Sequence, residues 1–168
     1  IRARLGWLQV NLATAFLAAA VVAIFEATIN RITALAVLQS IVAGQGGNAG
    51  AQALAVVIRG LAVNELKRGQ AWRVMMKEAT LGLVNGIAVA LVAAAAVFAW
   101  YRQWGLAAVM ATAMVINMVT AGLAGAGIPI LMKALGRDPA QSSSIIMTTF
   151  TDVIGFLSFL GLAHLLLL

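Results

Sequence analysis

The stretch Arg137–Leu168 reads RDPAQSSSIIMTTFTDVIGFLSFLGLAHLLLL, and its last ~30 residues are long enough to cross a bilayer. Asp152 lies near the middle of this apolar run, where an ionised side chain costs at least about 2.5 kcal/mol. Such a residue therefore faces the interior of a helix bundle or a water-filled path rather than lipid. The stretch predicts a membrane helix with a functional carboxylate at its centre.

The polar residues of this helix recur at helical spacing on one face. Asp138, Gln141, Ile145, Thr148 and Asp152 follow one another at intervals of three or four residues, and all but Ile145 are polar. Asp152 then either pairs with a Lys or Arg of another helix or binds a cation. A cation is favoured because no basic residue is found at a comparable depth elsewhere. The opposite face is apolar and would meet lipid or other helices: Ile146, Phe150, Val153 and Leu157.

The composition predicts an all-α integral membrane protein. Of the 168 residues, 63% are hydrophobic and 10% are charged, which is more apolar surface than a soluble domain can bury. The chain begins at Ile1 rather than Met, so we expect it to be part of a longer protein, and residues 1–168 to form one transmembrane domain. It contains no Cys, which excludes disulfides and thiolate metal sites. Five apolar segments predict five transmembrane helices: 5–25, 32–58, 79–100, 105–132 and 140–168.

The basic residues indicate membrane topology rather than binding to nucleic acid. If the N-terminus is cytoplasmic, all of the 11 Lys and Arg residues except Arg31 and Arg102 fall on the inner side. This asymmetry predicts a multi-pass protein of the cell inner (plasma) membrane with its C-terminus outside. The net charge of +6 is explained by this topology, so no nucleic-acid partner is expected.

A glycine-rich block, Gly44–Gln52, interrupts the second apolar segment with the sequence GQGGNAGAQ. Irregular backbone at membrane depth is tolerated only where it is buried in protein or lines a wet cavity. Freed carbonyls of Gly46 and Gly47, or the amide of Asn48, could then bind a cation or its water shell. The alternative is a kink at which small residues allow close helix packing.

Other polar residues each admit a structural and a functional interpretation. Glu26, at the outer end of the first helix, either pairs with a nearby arginine or forms an acidic pore mouth. Asp138 is a second candidate mouth acid, and with the following proline it is placed to cap the last helix. Asn85 and Asn117 either hydrogen-bond between helices or line a path. Residues 59–78 form either an amphipathic interfacial helix or a solvated loop.

Three blocks of the sequence resemble the membrane domain of the MgtE family of magnesium channels. The first is Gly46–Ala62, GGNAGAQALAVVIRGLA, and the second is the glycine-rich end of the fourth helix that leads to Ile128-Pro129. The third is Asp138–Phe156, DPAQSSSIIMTTFTDVIGF. The resemblance spans nearly the whole chain. One departure is Gln39-Ser40, where the family pattern carries a proline before the glycine block.

The resemblance implies a homodimer of five-helix protomers with one shared pore on the two-fold axis. It implies passive conduction of Mg²⁺, with Asp152 of both chains at the selectivity site. It also implies N-terminal cytoplasmic regulatory domains, which are not in this sequence. The regulation known for the family therefore cannot be assigned to this chain from its residues.

The chemistry of the residues agrees with a hydrated divalent cation as the bound ion. Mg²⁺ sheds water reluctantly and is usually held through retained waters and one or two carboxylates. Hydroxyl and amide groups near the carboxylate can hydrogen-bond to that water shell. Mn²⁺, Ca²⁺ and Co²⁺ also suit such oxygen ligands. The predicted metal site comprises Asp152, Thr148, Thr149, Asn48, Gly46 and Gly47.

Two other functions would use the same features. A proton- or sodium-coupled divalent cation exchanger also needs a carboxylate at the middle of the membrane. A non-transporting membrane anchor for a soluble domain would instead tolerate Asn or Leu at Asp152. The sequence contains no Ser-His-Asp set, Walker loop or HExxH motif, so we do not expect an enzyme.

Overall fold

A computed structural model describes residues 2–63 and 69–168, apart from the side chains of residues 2–4 and of Gln141. Part of the predicted inner loop, including Lys67 and Arg68, lies outside the described residues, as does the Gln141 side chain of the predicted polar stripe. The described chain is helical with short connections, so the predicted all-α class is confirmed. The helices are α1 (Arg2–Ile24), α2 (Glu26–Arg31), α3 (Ala34–Ala62), α4 (Ala71–Tyr101), α5 (Trp104–Ala134) and α6 (Pro139–Leu167).

Five helices of the described chain are long and apolar enough to span a membrane. They are α1, α3, α4, α5 and α6, whereas α2 has 6 residues and connects α1 to α3. At 1.5 Å per residue, even the 20-residue apolar part of α1 spans about 30 Å, the thickness of the hydrocarbon core. The prediction of five transmembrane helices is therefore confirmed.

The central helix of the bundle is α5, which packs against α3, α4 and α6. Met110 and Met114 of α5 are fully buried and share one apolar core with Leu35 of α3 and Phe159 of α6. In contrast, α1 packs mainly against α6, and Ala18 is the one buried side chain among those described in α1. The arrangement places α3 and α4 on either side of α5.

A tight turn reverses the chain between α5 and α6. Gly136 has a φ of 68°, a left-handed conformation that glycine adopts without a steric penalty. Its N–H donates to the carbonyl of Lys133 at 3.1 Å, and the N–H of Arg137 donates to the carbonyl of Met132 at 2.9 Å. These bonds satisfy carbonyls that the end of α5 would otherwise leave unpaired.

Asp138 caps the N-terminus of α6, as predicted. Its Oδ1 accepts a hydrogen bond from the backbone N–H of Ala140 at 3.0 Å, and Pro139 is the first residue of the helix. The proline has no N–H to leave unpaired, and its fixed φ suits a first turn. The predicted cap and the predicted first-turn proline are therefore both confirmed.

The predicted interruption of the second membrane segment is wrong. α3 runs without a break through Gly44–Gln52, so the carbonyls of Gly46 and Gly47 belong to the helix and are not freed for an ion. The glycines serve close packing instead. Gly50 is buried against the side chain of Met147, and a Cβ on Gly125 of α5 would lie 2.6 Å from the Gly50 carbonyl oxygen. The packing interpretation of the block is the better one.

The predicted separate interfacial helix within residues 59–78 is also wrong where the chain is described. α3 continues to Ala62, and α4 begins at Ala71 and runs on to Tyr101. Trp72 and Met76 therefore lie in the first turns of the membrane helix itself. The practical consequence is that Lys77 and Glu78 belong to a helix of the bundle.

Candidate functional site

Asp152 lies at the middle of α6, where it is residue 14 of 29 counted from Pro139. Its side chain is half-buried, whereas Thr148 and Ser144, one and two turns earlier on the same face, are exposed. We call Ser144, Thr148 and Asp152 the oxygen row. It gives a helix of membrane-spanning length a strip of oxygen atoms that leads to a carboxylate.

The hydroxyl groups near Asp152 are oriented by the helix backbone. Thr148 Oγ1 donates to the carbonyl of Ser144 at 2.8 Å, and Thr149 Oγ1 donates to the carbonyl of Ile145 at 2.8 Å. Because each hydroxyl proton is used in this way, the lone pairs of both oxygens stay free to act as acceptors. Such oxygens suit a hard cation or the water bound to it.

Asn117 of α5 joins three helices close to the oxygen row. It is fully buried, and its Nδ2 donates to the carbonyl of Val42 in α3 at 2.8 Å. The same amide lies against Gly46 of α3 and Gly155 of α6, and a Cβ on Gly155 would be 2.7 Å from Nδ2. Gly155 is three residues after Asp152, so Asn117 helps to set the position of α6 there. The predicted interhelical hydrogen bond is confirmed.

We expect Gly46→Ala to lower the stability of the protein because the new methyl group would overlap the amide of Asn117. Overpacking of this kind costs about 1–3 kcal/mol. Gly47→Ala is the matched control, since a Cβ there meets nothing within 4 Å. Alanine also favours a helix over glycine by up to about 1 kcal/mol, so the control should be neutral or stabilising. Thermal unfolding in detergent measures both, and equal melting temperatures would contradict the assignment.

Asn48 is exposed and lines a polar cleft between α3 and α4, with a volume of about 570 Å³. Asp152 does not line this cleft. The predicted metal ligands are therefore divided: Thr148, Thr149 and Asp152 follow one another on α6, whereas Asn48 and the buried Gly46 lie on α3. The polar cleft is lined by Gln45, Asn48 and Gln52 of α3, by Lys77, Glu78 and Asn85 of α4, and by Met118 and Gly122 of α5.

Glu78 is a candidate functional residue that the sequence analysis missed. It is only 9% exposed. Of the charged side chains that the structure describes, it is the one that is buried. The sequence predicts that it lies in the inner connection, residues 59–78. A usable signal was present: Glu78, Gly82 and Asn85 recur at intervals of four and three residues and so share one face of a helix.

The two candidate mouth acids lie towards opposite ends of α6. Asp138 is exposed and engaged in capping that helix. Glu26 is exposed at the start of α2, which is tied to the other end of α6 by a 2.9 Å hydrogen bond between Thr28 Oγ1 and His164 Nδ1. Their role at a pore mouth stays a prediction.

No group of three or more His, Asp or Glu side chains that could hold a metal ion occurs within the described ranges. Mg²⁺ and Ca²⁺ have six or more coordination positions, and a single carboxylate fills one or two of them. An ion at Asp152 would therefore complete its shell with water or with hydroxyl and carbonyl oxygen atoms.

Comparison with known proteins adds an independent line of observation. The MgtE family model, described as a divalent cation transporter, matches residues 39–162. Magnesium transporter MgtE of Thermus thermophilus is 34% identical over 165 residues, which cover 98% of this chain and 36% of the relative. The proteins of that name from Enterococcus faecalis and Bacillus subtilis are 35% and 30% identical over 96% and 95% of this chain. The chain spans 36% of the length of each of these curated relatives.

Proposed function

Because the chain belongs to the MgtE family of divalent cation transporters, we propose that it forms the membrane pore of a magnesium transporter. In this proposal Mg²⁺ moves passively down its electrochemical gradient. The observation that carries the proposal is Asp152, a carboxylate at the middle of a membrane-spanning helix with exposed hydroxyl groups along the same face. Carboxylates at this depth are costly and typically mark ion paths.

The proposed site holds Mg²⁺ with much of its water retained. Mg²⁺ dehydrates reluctantly and is usually bound by one or two carboxylates together with several waters. The acceptor oxygens of Thr148 and Thr149 would bind the hydrogen atoms of that water shell. A hydrated ion held in this way leaves more easily than one held by a full protein cage, and conduction requires binding weak enough for release.

We propose that a second copy of the chain faces the oxygen row across a water-filled path. Ser144 and Thr148 are exposed in one chain although they lie on a membrane-spanning helix. Polar groups gain nothing from contact with lipid tails, so water or protein is expected at this surface. A homodimer with its two-fold axis here would bring two Asp152 carboxylates, with a charge of −2, to one level of the pore.

The proposed location is the cell inner membrane, with the N-terminus in the cytoplasm and the C-terminus outside. The distribution of Lys and Arg supports this orientation. It places the junction of α3 with α4 and that of α5 with α6 on the cytoplasmic side. Cytoplasmic regulatory domains N-terminal to this chain are proposed as partners, since the chain matches about a third of the length of its relatives.

Mn²⁺, Ca²⁺ and Co²⁺ are proposed as competing ions because the same oxygen donors accept them. Two rival functions would be separated by the same experiment. One is a proton- or sodium-coupled exchanger, and the other is a membrane anchor that transports nothing. The proposed protein is a transporter and not an enzyme.

The test is Mg²⁺ flux into liposomes that contain the purified chain, with a membrane potential imposed and no proton or sodium gradient. We expect flux that reverses when the potential is reversed, because a passive pore needs no co-ion. Ca²⁺ measured in parallel reports selectivity. Flux that requires a proton or sodium gradient would support the exchanger, and no flux under either condition would support the anchor.

A further inference from the structure

We propose that the polar cleft between α3 and α4 is a second cation site, one in each chain, at which Glu78 binds a hydrated divalent cation. The site is separate from Asp152, which does not line the cleft. The inference rests on the proposed function for the identity of the ion. It gives Glu78 a function, whereas the proposed pore site at Asp152 does not involve this residue.

The first step is the buried charge of Glu78. The residue is 9% exposed and lines the cleft. A carboxylate that lines a confined cleft attracts a cation more strongly than one in bulk water, because the effective dielectric constant there is lower. Within the cleft lining, the only cationic group is Lys77. Lys77 is exposed, and its flexible stem allows the ammonium group to extend to solvent at the rim.

The second step is the chemistry of the walls around Glu78. Gln45, Asn48 and Gln52 of α3 and Asn85 of α4 line the same cleft. An amide carries both an acceptor oxygen and donor hydrogens, so it can bind coordinated water in either orientation. One carboxylate with several amides is a suitable set for an ion that keeps its inner water shell.

The third step is size. The cleft has a volume of about 570 Å³, whereas six waters at ~30 Å³ each occupy on the order of 180 Å³. A hydrated ion therefore fits with space for further water. Small residues among the cleft lining leave this space open: Ala49 and Ala53 of α3 and Gly82 and Ala88 of α4.

The fourth step is the position of the cleft along the bundle. Glu78 is residue 8 of α4, so it lies about 10 Å along that helix from its start by the rise of 1.5 Å per residue. Arg59, Arg73 and Lys133 are exposed towards the same end of the bundle. These basic residues raise the positive potential around the cleft, so a cation there is held by the direct charge of Glu78 and should bind more tightly when a neighbouring positive charge is removed.

The test uses Mn²⁺ as a paramagnetic probe with the purified chain in lipid nanodiscs. Electron paramagnetic resonance of free Mn²⁺ gives the number of bound ions and their affinities. We expect Glu78→Gln to lose one bound Mn²⁺ per chain. Asp152→Asn should retain that ion and lose the ion of the proposed pore. Equal Mn²⁺ binding by native and Glu78→Gln proteins would overturn the cleft site, whereas equal binding by native and Asp152→Asn proteins would count against the pore site.

Two further variants distinguish loss of the cation site from misfolding of the Glu78→Gln protein. Asn85→Ala alters an exposed wall position and should weaken Mn²⁺ binding at the cleft several-fold. Lys77→Gln removes the competing positive charge and should strengthen it several-fold. Thr80→Val is the matched control, because Thr80 is an exposed α4 residue outside the cleft lining. Unchanged affinity in both Asn85→Ala and Lys77→Gln would overturn the inference.

Discussion

Replacing Asp152 with Asn is expected to lower potential-driven Mg²⁺ flux at least tenfold. In the proposed dimer the substitution removes both negative charges from one level of the pore while keeping the size of the side chain. A loss of about 1.4 kcal/mol of stabilisation already changes a rate or an equilibrium tenfold. The attraction between a divalent ion and a carboxylate in a partly buried site exceeds that figure. The measurement is flux in liposomes with native and Asp152→Asn proteins at matched protein content.

Two companion variants make the Asp152 result specific. Asp152→Glu keeps the charge and should retain more flux than Asp152→Asn. Ser158→Ala removes a hydroxyl group further along the same helix, where the hydroxyl donates to the carbonyl of Gly155 at 3.2 Å, and it should leave flux near the native level. Equal flux through native and Asp152→Asn proteins would show that the selectivity site lies elsewhere.

Local signals made α6 the most predictable part of the fold. The membrane span follows from apolar length, and the start of the helix follows from an aspartate and a proline in sequence at Asp138 and Pro139. The depth of Asp152 then follows by counting residues. Each of these inferences depends on the residues of one helix, so a single sequence is sufficient.

The glycine block was harder to interpret because the role of a glycine depends on its neighbours. A local reading of Gly44–Gln52 predicts broken backbone, since glycine is a poor helix former. In the bundle, Gly46 faces Asn117 and Gly50 faces Met147. Those partners are more than 60 residues away in sequence. Tertiary packing therefore overrides the local preference and keeps α3 continuous.

The polar cleft was missed for a related reason. Gln45, Asn48 and Gln52 recur at helical spacing on α3, and Glu78 and Asn85 do so on α4. Each set alone resembles a solvated helix face or part of a loop. They form one cleft only because α5 holds both helices, and that arrangement cannot be read from either segment alone. The site is a property of three helices together.

The contact between α4 and α5 shows how closely these helices must approach. A Cβ on Gly82 would lie 3.1 Å from the carbonyl carbon of Met118, and a Cβ on Gly122 would lie 2.8 Å from the carbonyl carbon of Glu78. Each of the two glycines thus leaves room for the backbone of the opposite helix, as small residues do at membrane helix interfaces. Here the backbone of Glu78, and not a flexible side chain, fills the space.

We therefore expect Gly122→Ala to be strongly destabilising, by about 2 kcal/mol or more, because a rigid helix backbone must move to admit the methyl group. Gly127→Ala on the same helix is the matched control. A Cβ there meets the end of the flexible Met75 side chain at 3.2 Å, which can shift at little cost. Melting temperatures in detergent and the fraction of protein that elutes as a folded species measure the difference. Equal stability of the two variants would contradict the close backbone contact between α4 and α5 at Gly122.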